Sequence, residues 1–182
     1  MDRRNMIKRA GTALAGLSIF GVDAFAAEKS AEMTDNGKLS ASKKVVIVGA
    51  HPDDPESMFG GTMLLFKAAG CDVVSVYMTK GEAGIPGKTH DEAAKIREQE
   101  AREACRIMGV RPIFMTQIDG NSEINKERYA EMKAVLAEEK PDIVFTHWPI
   151  DSHPDHRVCS ILVYNAWRRL DYSFELYYFE VM

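Results

Sequence analysis

Two four-residue clusters carry the side chains best suited to chemistry: His51-Pro52-Asp53-Asp54 and His153-Pro154-Asp155-His156. They hold three of the five histidines in the chain. His51 and Asp54 are three apart, as are His153 and His156, so each pair can present its side chains to one side of a single helical turn. Two imidazoles and one carboxylate form a three-ligand set that leaves a fourth metal position open for water, which separates a catalytic zinc site from a closed structural one. Water held there ionises near pH 7 instead of near 16 and becomes a nucleophile. Asp53, beside the ligand cluster, is placed to take the proton from that water. His153, when protonated, would stabilise an oxyanion and hand a proton to a leaving amine, with Asp155 orienting its ring. Pro52 and Pro154 stiffen the two turns. An Asp-Asp pair at a helix start also serves as an ordinary N-cap, but that accounts for one cluster and not for two.

Each cluster follows a short run of apolar, mostly β-branched residues, Val45 to Gly49 and Ile143 to Thr146. Such continuous runs mark strands covered on both faces, as in a parallel sheet. Val73 to Met78 and Pro112 to Met115 are two more, and Phe174 to Val181, rich in Tyr and Phe, is a further strand. Helical patterns lie between them: Gly61 to Ala69, Asp91 to Met108, Lys126 to Glu139 and His156 to Leu170. Asp91 is the expected cap of the second helix and Gly109 its left-handed stop. Strand and helix alternate, with connections too long for hairpins. The expected fold is therefore α/β, a Rossmann-like doubly wound, mainly parallel sheet with helices on both faces. Ligands in such sheets bind beyond the carboxyl ends of the strands, where strand order reverses, so both clusters should open on one crevice. His90 reads as a solvated loop residue, and His147 as either a support for the site or the end of a strand.

The 182 residues, 46% hydrophobic and 27% charged, fit one globular core. A net charge of −4 with interspersed acids and bases excludes an electrostatic footprint for nucleic acid or an anionic membrane. Arg3 and Arg4 precede an uncharged run from Ala10 to Val22, and Ala24-Phe25-Ala26 supplies a small-residue cleavage pattern. Residues 1–26 are thus expected to be an export signal, similar to the twin-arginine type, delivering a periplasmic or extracellular protein. The uncharged run falls short of the ~20 residues that span a bilayer, so no stable membrane anchor is expected. Residues 27–44 are polar and read as a flexible leader, with the folded domain over 45–182. Cys71, Cys105 and Cys159 lack disulfide or zinc-site spacing and read as small hydrophobes.

The His51-Pro52-Asp53-Asp54 pattern after Ala50, Gly60-Gly61-Thr62, and His153-Pro154-Asp155-His156 together resemble the LmbE-like (PIG-L) zinc-dependent deacetylases. The resemblance extends through Thr79 to Gly84, Arg97 to Ala101, Met108-Gly109-Val110 and Asp142 to His147, and so covers the chain from about Val45 to Val181. It implies zinc, with Fe2+ among the other divalent metals the site would accept, held by His51, Asp54 and His156. It further implies Asp53 as base, His153 as acid or oxyanion stabiliser, and N-acetylglucosamine-type substrates, including glycosylphosphatidylinositol precursors and sugar conjugates of thiols. Glu82, Arg97 and Asp119 align with sugar-contacting positions in that family; an ion-paired network is the other reading of these three.

Two departures stand out. Asp54-Pro55-Glu56 places a proline where many family members have glutamate directly after the second aspartate. Removing the expected signal leaves 182 − 26 = 156 residues, fewer than is usual in the family. A shortened chain would expose an aromatic sheet edge able to pair with another chain, so a homo-oligomer is one expectation. Rival readings are a shortened relative that binds metal or sugar without turnover, a two-histidine, one-carboxylate iron enzyme, and a nucleotide-binding domain. The last would set a pyrophosphate against two carboxylates.

Overall fold

A computed structural model of the protein describes residues 43–181. The expected export signal, and the leader up to residue 42, lie outside the described residues. Five strands form one parallel sheet: β1 (Lys44–Gly49), β2 (Asp72–Tyr77), β3 (Arg111–Phe114), β4 (Ile143–His147) and β5 (Glu175–Phe179). Their order is β3-β2-β1-β4-β5. Four helices connect them: α1 (Asp54–Ala68), α2 (His90–Met108), α3 (Lys126–Glu139) and α4 (Pro154–Arg169). The chain winds outward from β1 to β3, crosses back, and continues through β4, so β1 and β4 flank the reversal point. This is the doubly wound α/β architecture expected from the alternating pattern.

The β-branched runs fill both faces because successive side chains point to opposite sides of a strand. Val45 and Ile47 of β1 pack with Met63 of α1 and with Ala101 and Cys105 of α2. Val46, Val48 and Ala50 pack with Met132 and Leu136 of α3 and Leu162 and Val163 of α4. Each fully buried aliphatic side chain of this kind contributes about 1.5–3 kcal/mol of transfer free energy. The sheet is therefore a rigid base for its loops. Among the described residues no helix is long and apolar enough to cross a membrane. The three cysteines are free thiols, with Cys105 and Cys159 buried.

Three helix starts differ from expectation, α4 beginning at Pro154, two residues before His156, with His153 as its cap. α1 begins at Asp54, seven residues before Gly61: Pro55 sits in its first turn, where a missing N–H is harmless. The cap of α2 is Thr89, whose hydroxyl accepts the Glu92 N–H at 3.3 Å while the Glu92 carboxylate accepts the Thr89 N–H at 3.0 Å. Asp91 lies inside that box as a first-turn acid favoured by the helix dipole. Gly109 ends α2 with φ 68°, as expected.

The two sheet edges are unlike. Met115 N–H donates to Tyr77 O, so by alternation position 112 turns its backbone outward, and there the residue is proline, with no N–H to offer. β5 pairs with β4 alone among the described residues and carries no proline.

Candidate metal and hydrolytic site

Both clusters lie beyond the carboxyl ends of β1 and β4. Gly49 permits the first turn: a Cβ there would stand 2.7 Å from Cδ of Pro55, so the ring of Pro55 closes over β1 only because residue 49 has no side chain. In the second cluster His153 caps α4, its Nδ1 accepting the Asp155 N–H at 3.2 Å, and Pro154 takes the first helical position.

The side chains converge on Asp54. His51 Nδ1 lies 3.3 Å from Asp54 Oδ2, and His156 Nε2 lies 3.4 Å from Asp54 Oδ1. Carboxylates lie behind the opposite ring nitrogens: His51 Nε2 is 3.1 Å from both Asp119 Oδ1 and Asp155 Oδ2, and His156 Nδ1 is 3.0 Å from Asp151 Oδ1, an ion-pair distance without hydrogen-bond alignment. Two donors of a tetrahedral zinc with bonds of roughly 2.0–2.1 Å stand about 3.3 Å apart, and each of these two histidine nitrogens stands at that spacing from one oxygen of Asp54. Carboxylates behind ligating imidazoles are the usual means of fixing the tautomer and raising ligand basicity. Three overlapping groups have metal-binding spacing: His51, His153 and His156; Asp54, His147 and His156; His51, Asp119 and Asp155. His147 Nε2 is 3.1 Å from Asp54 Oδ2 but already accepts the Ala50 N–H at 2.9 Å. His147 Nε2 thus lies between the Ala50 amide and the Asp54 carboxylate, which ties β4 to the end of β1 and to the start of α1. Its ring stacks on His156 with centroids 3.9 Å apart.

Electrostatics follow from this crowding. Burial would pull the His51 pKa down, but Asp119, Asp155 and Asp54 outweigh it and raise it to about 11. Burial would raise Asp54, yet the contacts with His147, His156 and His51 hold it well below the usual carboxylate range. His153 moves the other way, lowered by burial and then by the neighbouring His51 and His156. A metal ion at Asp54 would take the place of the proton on His51.

A cleft of about 470 Å³ opens over the cluster, lined in part by His51, Asp53, Arg97, Asp119 and His153. The Asp53 side chain is 56% exposed and accepts a hydrogen bond from Arg97 Nη2 at 2.6 Å. One expectation is corrected here, and two further residues gain contacts within the protein. The Asp155 carboxylate holds His51 and accepts the Gly120 N–H at 2.8 Å, whereas His153 is held by the Asp155 backbone amide. Of the residues expected at the sugar, Arg97 and Asp119 line the cleft, but Asp119 also grips His51 and accepts the Ala83 N–H at 3.1 Å. The Glu82 carboxylate, 8% exposed, accepts the amides of Lys80 and Asp119, so it clamps the loops after β2 and β3 together. Asp151 had no role assigned from sequence. Its one signal there is its place two residues before His153, whose N–H it accepts at 2.8 Å.

Residues 46–167 match the family model described as PIG-L, GlcNAc-PI de-N-acetylase. The chain is 28% identical over 137 residues to a probable N-acetyl-alpha-D-glucosaminyl L-malate deacetylase 2 of Bacillus cereus, covering 70% of this chain and 62% of that protein. It is 30% identical to a 1D-myo-inositol 2-acetamido-2-deoxy-alpha-D-glucopyranoside deacetylase of Actinosynnema mirum, covering 65% and 52%. The structure of N,N'-diacetylchitobiose deacetylase from Pyrococcus horikoshii superposes with a TM-score of 0.66 at 29% identity, covering 80% of this chain and 58% of that one. The chain thus spans between about half and two thirds of the length of these relatives. The matched stretch takes in both clusters, the strands that carry them and the loops that close the cleft, and by that match the chain belongs to the PIG-L, GlcNAc-PI de-N-acetylase family.

Proposed function

We propose that the protein is a zinc-dependent amide hydrolase that removes an N-acetyl group from an amino sugar or a sugar conjugate. One observation carries the reading: His51 and His156 each turn one nitrogen to Asp54 and the other to a carboxylate, beside a cleft that holds a solvent-facing Asp53 and the helix-capping His153. His51, Asp54 and His156 would hold the metal. When bound it supplies Lewis acidity toward a carbonyl and brings the ionisation of water into the neutral range. Asp53 takes the proton from the attacking water. Its pairing with Arg97 is no obstacle, since a partly exposed ion pair is worth no more than about 1 kcal/mol. His153 has Nδ1 engaged by the Asp155 amide, so Nε2 is the nitrogen that can carry a proton to the departing amine. The amino-sugar substrates named for the relatives support the substrate class.

The deciding measurement is zinc content together with acetate release from N-acetylglucosamine derivatives, comparing the native protein with Asp53→Ala. Both should hold one zinc per chain, and only the native protein should release acetate. Zinc without turnover in the native protein would instead fit a binding-only relative, and absence of metal would end the reading. For residues 1–26 the proposal is export by the twin-arginine route. Fusion of that segment to a reporter that matures only after folded export tests it, with replacement of Arg3 and Arg4 by lysine expected to abolish export.

A further inference from the structure

Asp53 has φ 99° and ψ −28°, a left-handed conformation that a residue with a Cβ rarely adopts. An N-cap residue ordinarily lies in the extended region, as Thr89 and Asn125 do at the starts of α2 and α3. Something must hold the first cluster away from that norm, and three contacts do so. Pro55 is lodged against Gly49, which fixes the first turn of α1 to the end of β1. Arg97 donates to the carbonyl of Pro52 and to the carboxylate of Asp53, gripping the turn from the cleft side. From the core side, Glu56 Oε2 accepts the Asp53 N–H at 3.1 Å, while Glu56 Oε1 accepts the hydroxyl of Tyr77. Tyr77 is fully buried at the end of β2, its ring stacked on Phe114 and its hydroxyl 3.3 Å from Cys105 Sγ on α2. The proline at position 55 puts this glutamate at the third helical position, the one from which a side chain reaches back to the cap amide.

We infer that Glu56, anchored by Tyr77, is a positioning residue that holds the backbone of Asp53 in its left-handed turn and thereby aims the Asp53 carboxylate at the reacting water. The inference rests on the hydrolase reading for its kinetic consequence and on geometry alone for its structural one. The Glu56 carboxylate meets the cleft lining through the backbone amide of Asp53 and is itself absent from that lining, and its printed side-chain partner is Tyr77, which is no proposed ligand. Its removal should therefore lower the rate of the chemical step while leaving substrate binding and metal in place. Misplacement of a reacting group by about 1 Å costs on the order of a hundredfold in rate, which sets the upper scale of the effect.

The test uses the zinc-loaded protein and three variants, Glu56→Ala, Glu56→Gln and Tyr77→Phe, with two readouts. The first is kcat and KM for acetate release together with zinc content. Glu56→Ala should lose ten- to a hundredfold in kcat with KM and zinc unchanged. Glu56→Gln keeps an acceptor for the Asp53 amide and a partner for Tyr77, and should restore most of the rate. Tyr77→Phe should fall between them. The second readout is hydrogen exchange of the Asp53 amide in nitrogen-15-labelled protein: at least about tenfold faster in Glu56→Ala and close to native in Glu56→Gln. A native protein that releases no acetate would overturn the hydrolase reading, and the exchange comparison still decides this one. Native kcat and native Asp53 exchange in Glu56→Ala overturn the inference, as does a parallel loss of KM or zinc. Should Glu56→Ala not fold, Tyr77→Phe decides alone: slowed kcat with faster Asp53 exchange supports the inference, and native values of both overturn it.

Discussion

The two clusters share a sequence plan, His-Pro-Asp followed by a carboxylate or an imidazole, yet the fold presents them differently. In the first, α1 starts at the fourth residue, Asp54, so the turn before it is tight and left-handed, and the first and fourth positions both face the centre. In the second, α4 starts at Pro154, so His153 is the cap itself, with an ordinary φ of −80°. Its fourth residue, His156, reaches Asp54, while the first stays at the rim of the cleft. The charge environment diverges in step: His51 sits among three carboxylates and its pKa rises to about 11, whereas that of His153 falls below its ordinary value. On the proposed function, equal spacing in sequence gives one ligand and one proton carrier, and the register of the helix start sets the difference between them.

That contrast can be broken most sharply at its two first residues. His51→Ala should abolish zinc binding and acetate release together, while His153→Ala should keep its zinc and lose about 10²–10⁴ in kcat, measured by metal analysis and steady-state kinetics. If His153→Ala loses its metal as well, the division of labour is wrong. A smaller effect tests the backing carboxylates. Asp155→Asn and Asp151→Asn should each weaken zinc affinity by about 10–100-fold, read by competition with a chelator, because one holds His51 and the other His156. The third concerns protons. A folded-state pKa of about 11 means that His51 is protonated at pH 7 in the metal-free protein, so zinc uptake should release a proton from it and affinity should fall as pH falls. Calorimetry in buffers of different ionisation enthalpy measures that release, and His153, lowered instead of raised, should not add to it. The least consequential change lies away from both clusters: Thr89→Ala should cost about 1 kcal/mol of stability in thermal unfolding and leave zinc content unchanged.

Most of the sheet was legible in the sequence because strands buried on both faces must be continuously apolar, a local property. The full extent of α1 was not: Asp53-Asp54 could be read as a helix cap, but Pro55 and Gly60-Gly61 look like turn chemistry, and the helix runs through all of them. Of the site, the two clusters could be read because each is contiguous. His147 and Asp151 could be seen as residues but not as partners: the bond from the Ala50 amide to His147 spans 97 positions, and only the pairing of β1 with β4 creates it. Glu82 and Asp119 illustrate the converse. Position in the chain suggested a role toward sugar, while the fold gives Glu82 the amides of two loops and Asp119 a hold on His51.

The unlike edges of the sheet bear on assembly. At β3, Pro112 removes a donor from the outward-facing row, so that side is a poor template. At β5, the backbone of Leu176 and Tyr178 faces away from β4, since Glu175 N–H and Phe179 O are engaged on the inner side. Among the described residues, β5 is therefore the edge better suited to take a further strand. A further strand, whether from a longer polypeptide or a second copy, would dock on β5, at the carboxyl end of which Trp148 and the loop leading to His153 already lie.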